Sequence, residues 1–547
     1  MIKQYFEDLK LEFIGYNGKK FTGDLMAGLT VTAVALPLAL AFGVSSGAGA
    51  PSGIISAIIA GLVMGLLAGA SYQVSGPTGT MIAILATVYA AYGTEGIFIT
   101  GFLSGIILLI AAIFRIGKLV SFIPGPVITG FTSGIAIIIA MGQIDNFFGT
   151  VSSGKNNVEK ILSYTEMGFS PNIYALIIGL LVIVIMVLWP KKWNKVPSSL
   201  AALIIALILN TIVNFPINLV GDIPSTILLE NRLSLNDISI GKMLSLLSPA
   251  LSIAILCMIE SLLCGVSAGK IKNNPLNVDR ELVAQGLGNM LIPFFGGIPA
   301  SAVLARTSVG LKSGGETRLV SIIQSLGLMT SMLFLGKFIS RIPLAALAGV
   351  LMVTSWRMNE WKEIKFIFGR KFSTAIIEFT VTMVATVMFD LTIAILIGVF
   401  LGMMIFIIKD AELKIDVSPV DLKRISGHEI SSKHSETKII YLTGPLFFVT
   451  REKLKSLIYH SSNTENIIIS MRAVTTIDET ALIEFKEVLH KIYNNKTNVL
   501  FCGIQPSVKE MFDRAGMTEI IGSNLIFWDA IEAFKYLEII QTETRTA

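Results

Sequence analysis

Two charged side chains, Glu260 and Arg306, lie within long apolar stretches of the chain. A charge at membrane depth is costly unless it faces a cavity or a partner, so each residue marks a candidate functional site. The planar guanidinium group of Arg306 suits oxyanions. Removal of the Glu260 carboxyl group from water favours its neutral form, so it could take up and release a proton. We therefore expect an anion site that includes Arg306 and a proton-coupling site at Glu260.

Each of these residues also has a second interpretation. Arg306 could extend to the aqueous surface near Lys312 and keep its charge in water. Glu260 could be only a structural ion partner of Arg306, or it could bind sodium, which needs several oxygen atoms at close range. The site interpretation is favoured for Arg306 because an arginine at membrane depth is costly without a cavity or a partner. It is favoured for Glu260 because no other acidic residue lies in the apolar run around it.

Glycine and proline residues interrupt the apolar sequence just before Arg306, and a similar interruption occurs early in the chain. Gly296, Gly297 and Pro299 interrupt one apolar stretch, and Gly76 and Pro77 interrupt the other. Proline is tolerated in the first turn of a helix, so we expect short helices to begin near Pro77 and Pro299. A helix that begins inside a membrane directs unpaired N–H groups and a partial positive charge into the protein. Both starts are therefore candidate anion sites.

The two breaks occupy corresponding places in the two halves of the chain. The motifs Phe122-Ile123-Pro124 and Arg341-Ile342-Pro343 are separated by nearly the same length of chain as Pro77 and Pro299, and they follow the two breaks in the same order. Interrupted segments at corresponding positions indicate a transporter site between inverted repeats.

The composition indicates a membrane protein with a soluble C-terminal part. The chain is 53% hydrophobic and 15% charged, with a mean hydropathy of +0.72. Soluble domains are about 25% charged. About fourteen apolar segments occur before residue 409. We predict a cytoplasmic segment (1–22), a transmembrane domain (23–409, with repeats at about 23–215 and 243–409), a linker (410–436) and an α/β domain (437–547).

The charge distribution predicts the orientation and excludes several functions. Basic residues alternate between loops in the positive-inside pattern, which places both termini in the cytoplasm of a multi-pass cell-membrane protein. The basic loops include Lys191, Lys192, Lys195, Lys312, Arg318, Arg357, Lys362, Lys365, Arg370 and Lys371. We expect that the polar N-terminus is not a signal peptide. Three cysteines predict no disulfide framework or metal site. We expect no cofactor, no ATP-binding loop and no nucleic-acid partner.

Several motifs together resemble the sulfate permease family, whose C-terminal part is a STAS domain. They are VALPLALAFG at 34–43, SGPTG at 75–79, IESLL at 259–263, QGLGN at 285–289, GGIPA at 296–300 and ART at 305–307. The resemblance implies fourteen helices in two inverted seven-helix repeats. It also implies that a core of helices one to four and eight to eleven moves against a gate, and that the protein forms a homodimer in a bacterial inner membrane.

The resemblance also implies roles for individual residues. The anion would lie between the N-termini of helices three and ten, with contacts from Phe42, Gly79, Thr80, Met81, Ala305, Arg306 and Thr307, while Glu260 comes from helix eight. In the STAS-like part, Glu479 occupies the position of a phosphorylatable Ser or Thr, which favours a dimerisation or gating module over a phosphorylation switch.

We therefore expect a secondary-active transporter, not an enzyme, that couples a small inorganic or organic anion to protons rather than sodium. Sulfate, bicarbonate and dicarboxylates are the candidate anions. Three alternatives remain open at this stage: an uncoupled anion exchanger or channel, a membrane-anchored sensor that signals through the STAS-like domain, and a purine or uracil transporter. Arg306 argues against a neutral base as substrate.

Overall fold

A computed structural model describes residues 2–118, 123–153, 157–190, 196–234, 239–389, 391–410, 413–419, 437–461 and 464–537. The chain forms two compact units, Met1–Phe400 and Leu401–Ala547, and each is described by itself. Phe122 of the repeated motif, the lysines at positions 191, 192 and 195, and residues 420–436 of the predicted linker lie outside the described residues.

The first half of the membrane unit consists of helices and one very short strand. In chain order these are α1 (Ile2–Glu12), α2 (Gly18–Ser45), α3 (Ala50–Leu67), β1 (Ser75–Gly76), α4 (Gly79–Ile113), α5 (Gly125–Gly142), α6 (Ile144–Phe148), α7 (Asn157–Met167), α8 (Ile173–Leu188) and α9 (Ser198–Val213). Gly93 breaks α4 into two helices, because it adopts a left-handed backbone conformation with positive φ, which glycine tolerates without strain. This break separates the predicted third and fourth segments.

The second half repeats this organisation. It contains α10 (Ile240–Ser245), α11 (Leu247–Lys272), α12 (Val278–Leu291), β2 (Ser301–Ala302), α13 (Leu304–Lys312), α14 (Leu319–Ile339), α15 (Leu344–Met358), α16 (Trp361–Gly369), α17 (Ser373–Met388) and α18 (Leu391–Asp410). Among the described residues, six stretches are long and apolar enough to cross a membrane: α2, α3, α4, Gly125–Phe148, Leu247–Gly269 and α14. Every predicted segment contains a helix, while the number of membrane spans stays a prediction.

Helices of the two halves pack closely around the broken segments. Helix α14 packs on α2 and α3, and α12 packs on α3 and α4. The Ser321 hydroxyl donates to the Gly61 carbonyl at 3.0 Å, and a Cβ on Gly61 would overlap the Ser325 hydroxyl. Small residues thus allow this close contact, as is usual in membrane helix packing. A second group is formed by α5, which packs against α15 and α17.

The N-terminal helix is attached to this bundle by ion pairs. Arg280 pairs with Asp8 at 2.6 Å, and Arg318 pairs with Glu12 at 2.8 Å. Burial and a hydrogen bond to the Asp24 carboxylate raise the pKa of Tyr16 to about 12, so the phenol stays protonated as a donor. The segment predicted only as a polar N-terminus is therefore helical and packed against the membrane unit.

The C-terminal unit is a small α/β domain, as predicted. Its elements are β3 (Lys414–Pro419), β4 (Thr437–Thr443), α19 (Arg451–Ser461), β5 (Asn466–Ala473), α20 (Glu479–Asn494), β6 (Asn498–Cys502), α21 (Pro506–Arg514), α22 (Met517–Ile521) and β7 (Ile526–Phe527), followed by a helix at 530–537. The strands follow the order β3-β4-β5-β6-β7, with β3 antiparallel to β4 and the other pairs parallel.

Strand β3 corrects the prediction for the linker. Residues 410–436 are predicted to connect the two domains, yet Lys414–Pro419 forms an edge strand of the sheet, paired with β4 from Lys414↔Thr443 to Pro419↔Lys438. The short alternation of Ile415 and Val417 with more polar neighbours is the period-two pattern of a strand with one polar face.

Candidate functional site

The two broken segments meet in the membrane unit. Strands β1 and β2 pair antiparallel, with Ser75 opposite Ala302 and Gly76 opposite Ser301. The amide of Val303 also donates to the Val74 carbonyl at 3.1 Å. Because α4 and α13 begin directly after these strands, the pairing brings two helix N-termini close together. Unpaired N–H groups and the partial positive charge of each helix are thereby concentrated in one place.

The predicted start of the second short helix near Pro299 is wrong. Helix α13 begins at Leu304, and the chain before it is extended. The reason lies in the tertiary hydrogen bonds of this stretch: Ser301–Ala302 pairs with β1, and the amide of Ala300 donates to the side chain of Asn289 at 2.8 Å. These bonds take the place of a first helical turn. The prediction for Pro77 is close, since α4 begins at Gly79.

Arg306 is completely buried beneath the paired strands. Its exposed fraction is 0%, so the alternative in which the side chain extends to the surface is wrong. Its Nη2 donates to the Pro77 carbonyl at 2.9 Å. Its Nε and Nη1 atoms are buried and have no hydrogen-bond partner among the described residues. A buried guanidinium with two unused donors is a costly arrangement that an anion would relieve.

Gly76 leaves the space that the Arg306 side chain occupies. A Cβ at position 76 would overlap Nη1 of the guanidinium. We expect Gly76→Ala to displace Arg306 and to destabilise the protein by about 1–3 kcal/mol. Thermal unfolding of the purified, detergent-solubilised protein measures this loss. The matched control is Gly241→Ala, where an added Cβ meets nothing within 4 Å. Equal unfolding temperatures for Gly76→Ala and wild type would contradict the packing argument.

Glu260 lies on α11, facing the same strand pair. The Ser301 hydroxyl donates to its Oε2 at 2.5 Å, and the hydroxyls of Thr78 and Thr80, which are 2.7 Å apart, are its neighbours. Glu260 and Arg306 form no ion pair among the residues that the structure describes. The Glu260 side chain is partly exposed, whereas that of Arg306 is not. The carboxyl group therefore lies at the strand pair without neutralising the arginine by direct contact.

The other predicted contact residues occupy different surroundings. The Phe42 ring packs at Gly79, where a Cβ would lie 3.4 Å from it, and Ala305 is exposed at the start of α13. Thr80 is buried beside Thr78, and Met81 is fully buried. The Thr307 hydroxyl accepts the Val74 amide at 3.1 Å, so it already has a structural partner. Contact of these residues with a substrate stays a prediction.

Three polar residues on α12, which the sequence analysis leaves without a role, hold both broken segments. Glu281, Gln285 and Asn289 are fully buried and spaced four residues apart, so they share one face of the helix. Glu281 accepts the Gly69 amide at 2.8 Å, Gln285 donates to the Ser75 hydroxyl at 3.1 Å, and Asn289 bonds both backbone groups of Ala300. The four-residue spacing of polar side chains in a buried helix is the signal that identifies them.

This arrangement defines a class of protein. Interrupted helices from two halves of one chain meet inside an apolar helical unit, and the buried Arg306 in the first turn of α13 contacts the backbone just before α4. That combination is typical of secondary transporters with inverted repeats, whose substrates bind at such helix ends.

Comparison with known proteins gives the family. Residues 21–385 match the sulfate permease family, and residues 430–533 match the STAS domain. A Bacillus subtilis (strain 168) protein named as a sulfate transporter, YvdB, is 32% identical over 527 residues, which cover 94% of this chain and 97% of that protein. The chain belongs to the sulfate permease family, a family of membrane transporters and not of enzymes.

Two solved structures share this fold. The transmembrane domain of a cyanobacterial bicarbonate transporter, BicA, is 28% identical and superposes with a TM-score of 0.63, covering 71% of this chain and 98% of that one. The murine anion transporter Slc26a9 is 17% identical, with a TM-score of 0.82 over 95% of this chain and 91% of its own. The second likeness shows the fold alone.

Proposed function

We propose that the protein is a secondary-active transporter of a small anion, which binds between the starts of α4 and α13. The observation that carries this proposal is the buried Arg306 side chain, whose Nε and Nη1 donors have no partner among the described residues. Two similar proteins are named for sulfate and bicarbonate, which makes an oxyanion the first choice of substrate. A dicarboxylate such as fumarate presents the same carboxylate chemistry to the guanidinium.

The surroundings of the strand pair suit an anion. The N-termini of α4 and α13 contribute backbone N–H groups, and the Thr78, Thr80 and Ser301 hydroxyls can donate to a bound oxygen atom. In this proposal the substrate site is formed by Phe42, Gly79, Thr80, Met81, Ala305, Arg306 and Thr307. Thr307 acts there through the Val74 amide, whose hydrogen bond its hydroxyl accepts.

Glu260 is the proposed proton-coupling residue. An ionised carboxylate beside the strand pair offsets part of the positive charge of Arg306 and of the two helix ends. Protonation of Glu260 removes that negative charge, so the site then attracts an anion more strongly. Because linkage is reciprocal, the bound anion in turn favours the protonated carboxyl group. The anion and the proton therefore bind together, which is the requirement for symport. Sodium in place of the proton is the competing form of coupling.

Uptake into proteoliposomes tests both parts of the proposal. Radiolabelled sulfate, bicarbonate and fumarate are supplied with and without an inward proton gradient. We expect the gradient to raise uptake of one anion several-fold in wild type, and Glu260→Gln to abolish that response because the amide cannot exchange a proton. Glu230→Gln, an exposed acidic residue in the segment before α10, is the matched control and should behave as wild type.

The outcomes separate the proposal from its alternatives. Uptake that is unchanged by the proton gradient and by Glu260→Gln would exclude the symport mechanism and favour an exchanger or a channel. A response to a sodium gradient alone would reassign Glu260 to sodium. Flux of none of the anions would favour a membrane-anchored sensor. In this proposal the protein works as a homodimer in the bacterial inner membrane, with both termini in the cytoplasm.

A further inference from the structure

Helix α16 is a short amphipathic element between two apolar helices. It has nine residues, too few to cross a membrane, and it joins α15 to α17. Both neighbours are apolar helices of the membrane unit that the fourteen-helix prediction places across the membrane, so we expect the segment that connects their ends to lie at the membrane surface. The buried Ile367 and an edge-to-face contact of Phe368 with Phe379, with ring centroids 5.6 Å apart, fix α16 to the bundle.

Aromatic side chains are exposed all along this segment. The exposed aromatic residues are Trp356, Trp361, Phe366, Phe368 and Phe372. The two tryptophan rings pack on each other at 4.5 Å, and the Trp361 indole donates to the Trp356 carbonyl at 3.0 Å. Aromatic residues concentrate where a membrane meets water, since their rings prefer the level of the lipid headgroups.

The same segment carries cations that the protein does not neutralise. Four basic side chains are exposed and form no ion pair or hydrogen bond with any residue in the described part of the chain: Lys362, Lys365, Arg370 and Lys371. One nearby acid, Glu360, is turned away from them, because its carboxylate accepts the Thr129 hydroxyl at 3.0 Å. A second acid, the exposed Glu363, can offset only one of the four charges. The remaining excess of positive charge calls for an anionic partner from outside the protein.

We propose that α16 and its flanking residues 370–372 form a binding site for anionic phospholipid headgroups. The cations pair with the phosphodiester and headgroup charge, while the exposed aromatic rings enter the boundary between headgroups and acyl chains. The positive-inside pattern predicts that this is the cytoplasmic leaflet. Since α15 and α17 both pack on α5, bound lipid anchors this group of helices, which carries neither broken segment. The site is independent of the transported anion and of its coupling.

Quenching of tryptophan fluorescence by brominated lipids tests the proposal on the full chain. The background variant Trp189→Phe, Trp193→Phe and Trp528→Phe leaves Trp356 and Trp361 as the fluorophores. The protein is reconstituted in phosphatidylcholine with increasing fractions of phosphatidylglycerol, and bromine is carried by either lipid. We expect brominated phosphatidylglycerol to quench more than brominated phosphatidylcholine does at equal fraction, and added salt to weaken the preference.

Three further variants in this background keep the test decisive. The fourfold variant Lys362→Gln, Lys365→Gln, Arg370→Gln and Lys371→Gln should lose most of the preference. The control variant Lys491→Gln, Lys496→Gln, Lys509→Gln and Lys535→Gln removes the same net charge from exposed residues of the C-terminal unit and should retain it. The variant Lys362→Arg, Lys365→Arg and Lys371→Arg keeps every charge and should also retain it.

Retention of the preference by the fourfold variant at α16 would overturn the proposal, and so would either of two further results. The first is equal quenching by the two lipids before any of the lysines or arginines is replaced. The second is an equal loss of preference in the control variant, because it would indicate a general effect of net charge rather than a site at α16.

Discussion

Replacement of Arg306 by glutamine is expected to lower anion uptake at subsaturating concentration by at least about tenfold. Hydrogen bonds to a charged group contribute about 1.5–3 kcal/mol, and about 1.4 kcal/mol corresponds to a factor of ten in affinity. Glutamine removes the full positive charge and the two unused donors, Nε and Nη1, while it can keep one bond to the Pro77 carbonyl. The loss should therefore fall on substrate binding more than on the fold.

The measurement is initial uptake of the anion identified with wild type, alongside the unfolding temperature of each variant. Arg306→Lys keeps a charge but loses the planar fork, so an intermediate uptake is expected. Arg341→Gln removes an exposed arginine from the repeated motif that contains Ile342 and Pro343, and it should transport as wild type. Wild-type uptake by Arg306→Gln at an unchanged unfolding temperature would show that the arginine has no part in binding.

The fold is largely predictable because few backbone structures can satisfy all of their hydrogen bonds inside a membrane. Long apolar runs must form helices, so each predicted segment contains one, and the break that separates the third segment from the fourth falls at Gly93. The paired breaks at Pro77 and Pro299 predict a meeting point, and β1 and β2 meet there. In the C-terminal unit, alternating strands and helices predict the α/β class.

Features that depend on contacts between distant residues are not predictable in the same way. The start of α13 is set by the pairing of Ser301 with Gly76 and by the side chain of Asn289, neither of which leaves a local signal at Pro299. The alternation of Ile415 and Val417 with polar neighbours in β3 is too short to predict a strand by itself, and the pairing with β4 establishes it. The partner of Thr307 is likewise far away in the sequence, so its residue type indicates polarity without a role.

The extended backbone that leads into α13 is held by a side chain of another helix, Asn289 of α12. Extended backbone inside an apolar bundle leaves N–H and C=O groups that water cannot reach. Two of these groups belong to Ala300, and Asn289 bonds both of them, with its Oδ1 2.8 Å from the amide and its Nδ2 2.9 Å from the carbonyl oxygen. One carboxamide thus takes the place of a neighbouring strand and fixes the approach to Ser301 and α13.

Asn289→Leu is accordingly expected to destabilise the protein by about 1–4 kcal/mol and to remove most of its transport. Leucine is similar in size, so the loss does not reflect a cavity. It reflects the Ala300 amide, which is left unsatisfied at about 1–3 kcal/mol, and the Ala300 carbonyl, which keeps only the weak thiol donor of Cys257 at 3.5 Å. Thermal unfolding in detergent and uptake into proteoliposomes measure the two effects. Asn210→Leu is the matched control: Asn210 is also buried in a helix, but its Oδ1 has no partner among the described residues, so little stability should be lost. If both variants unfold at the wild-type temperature, Asn289 does not hold the broken segment, and the rigidity of the proposed anion site must come from the strand pair alone.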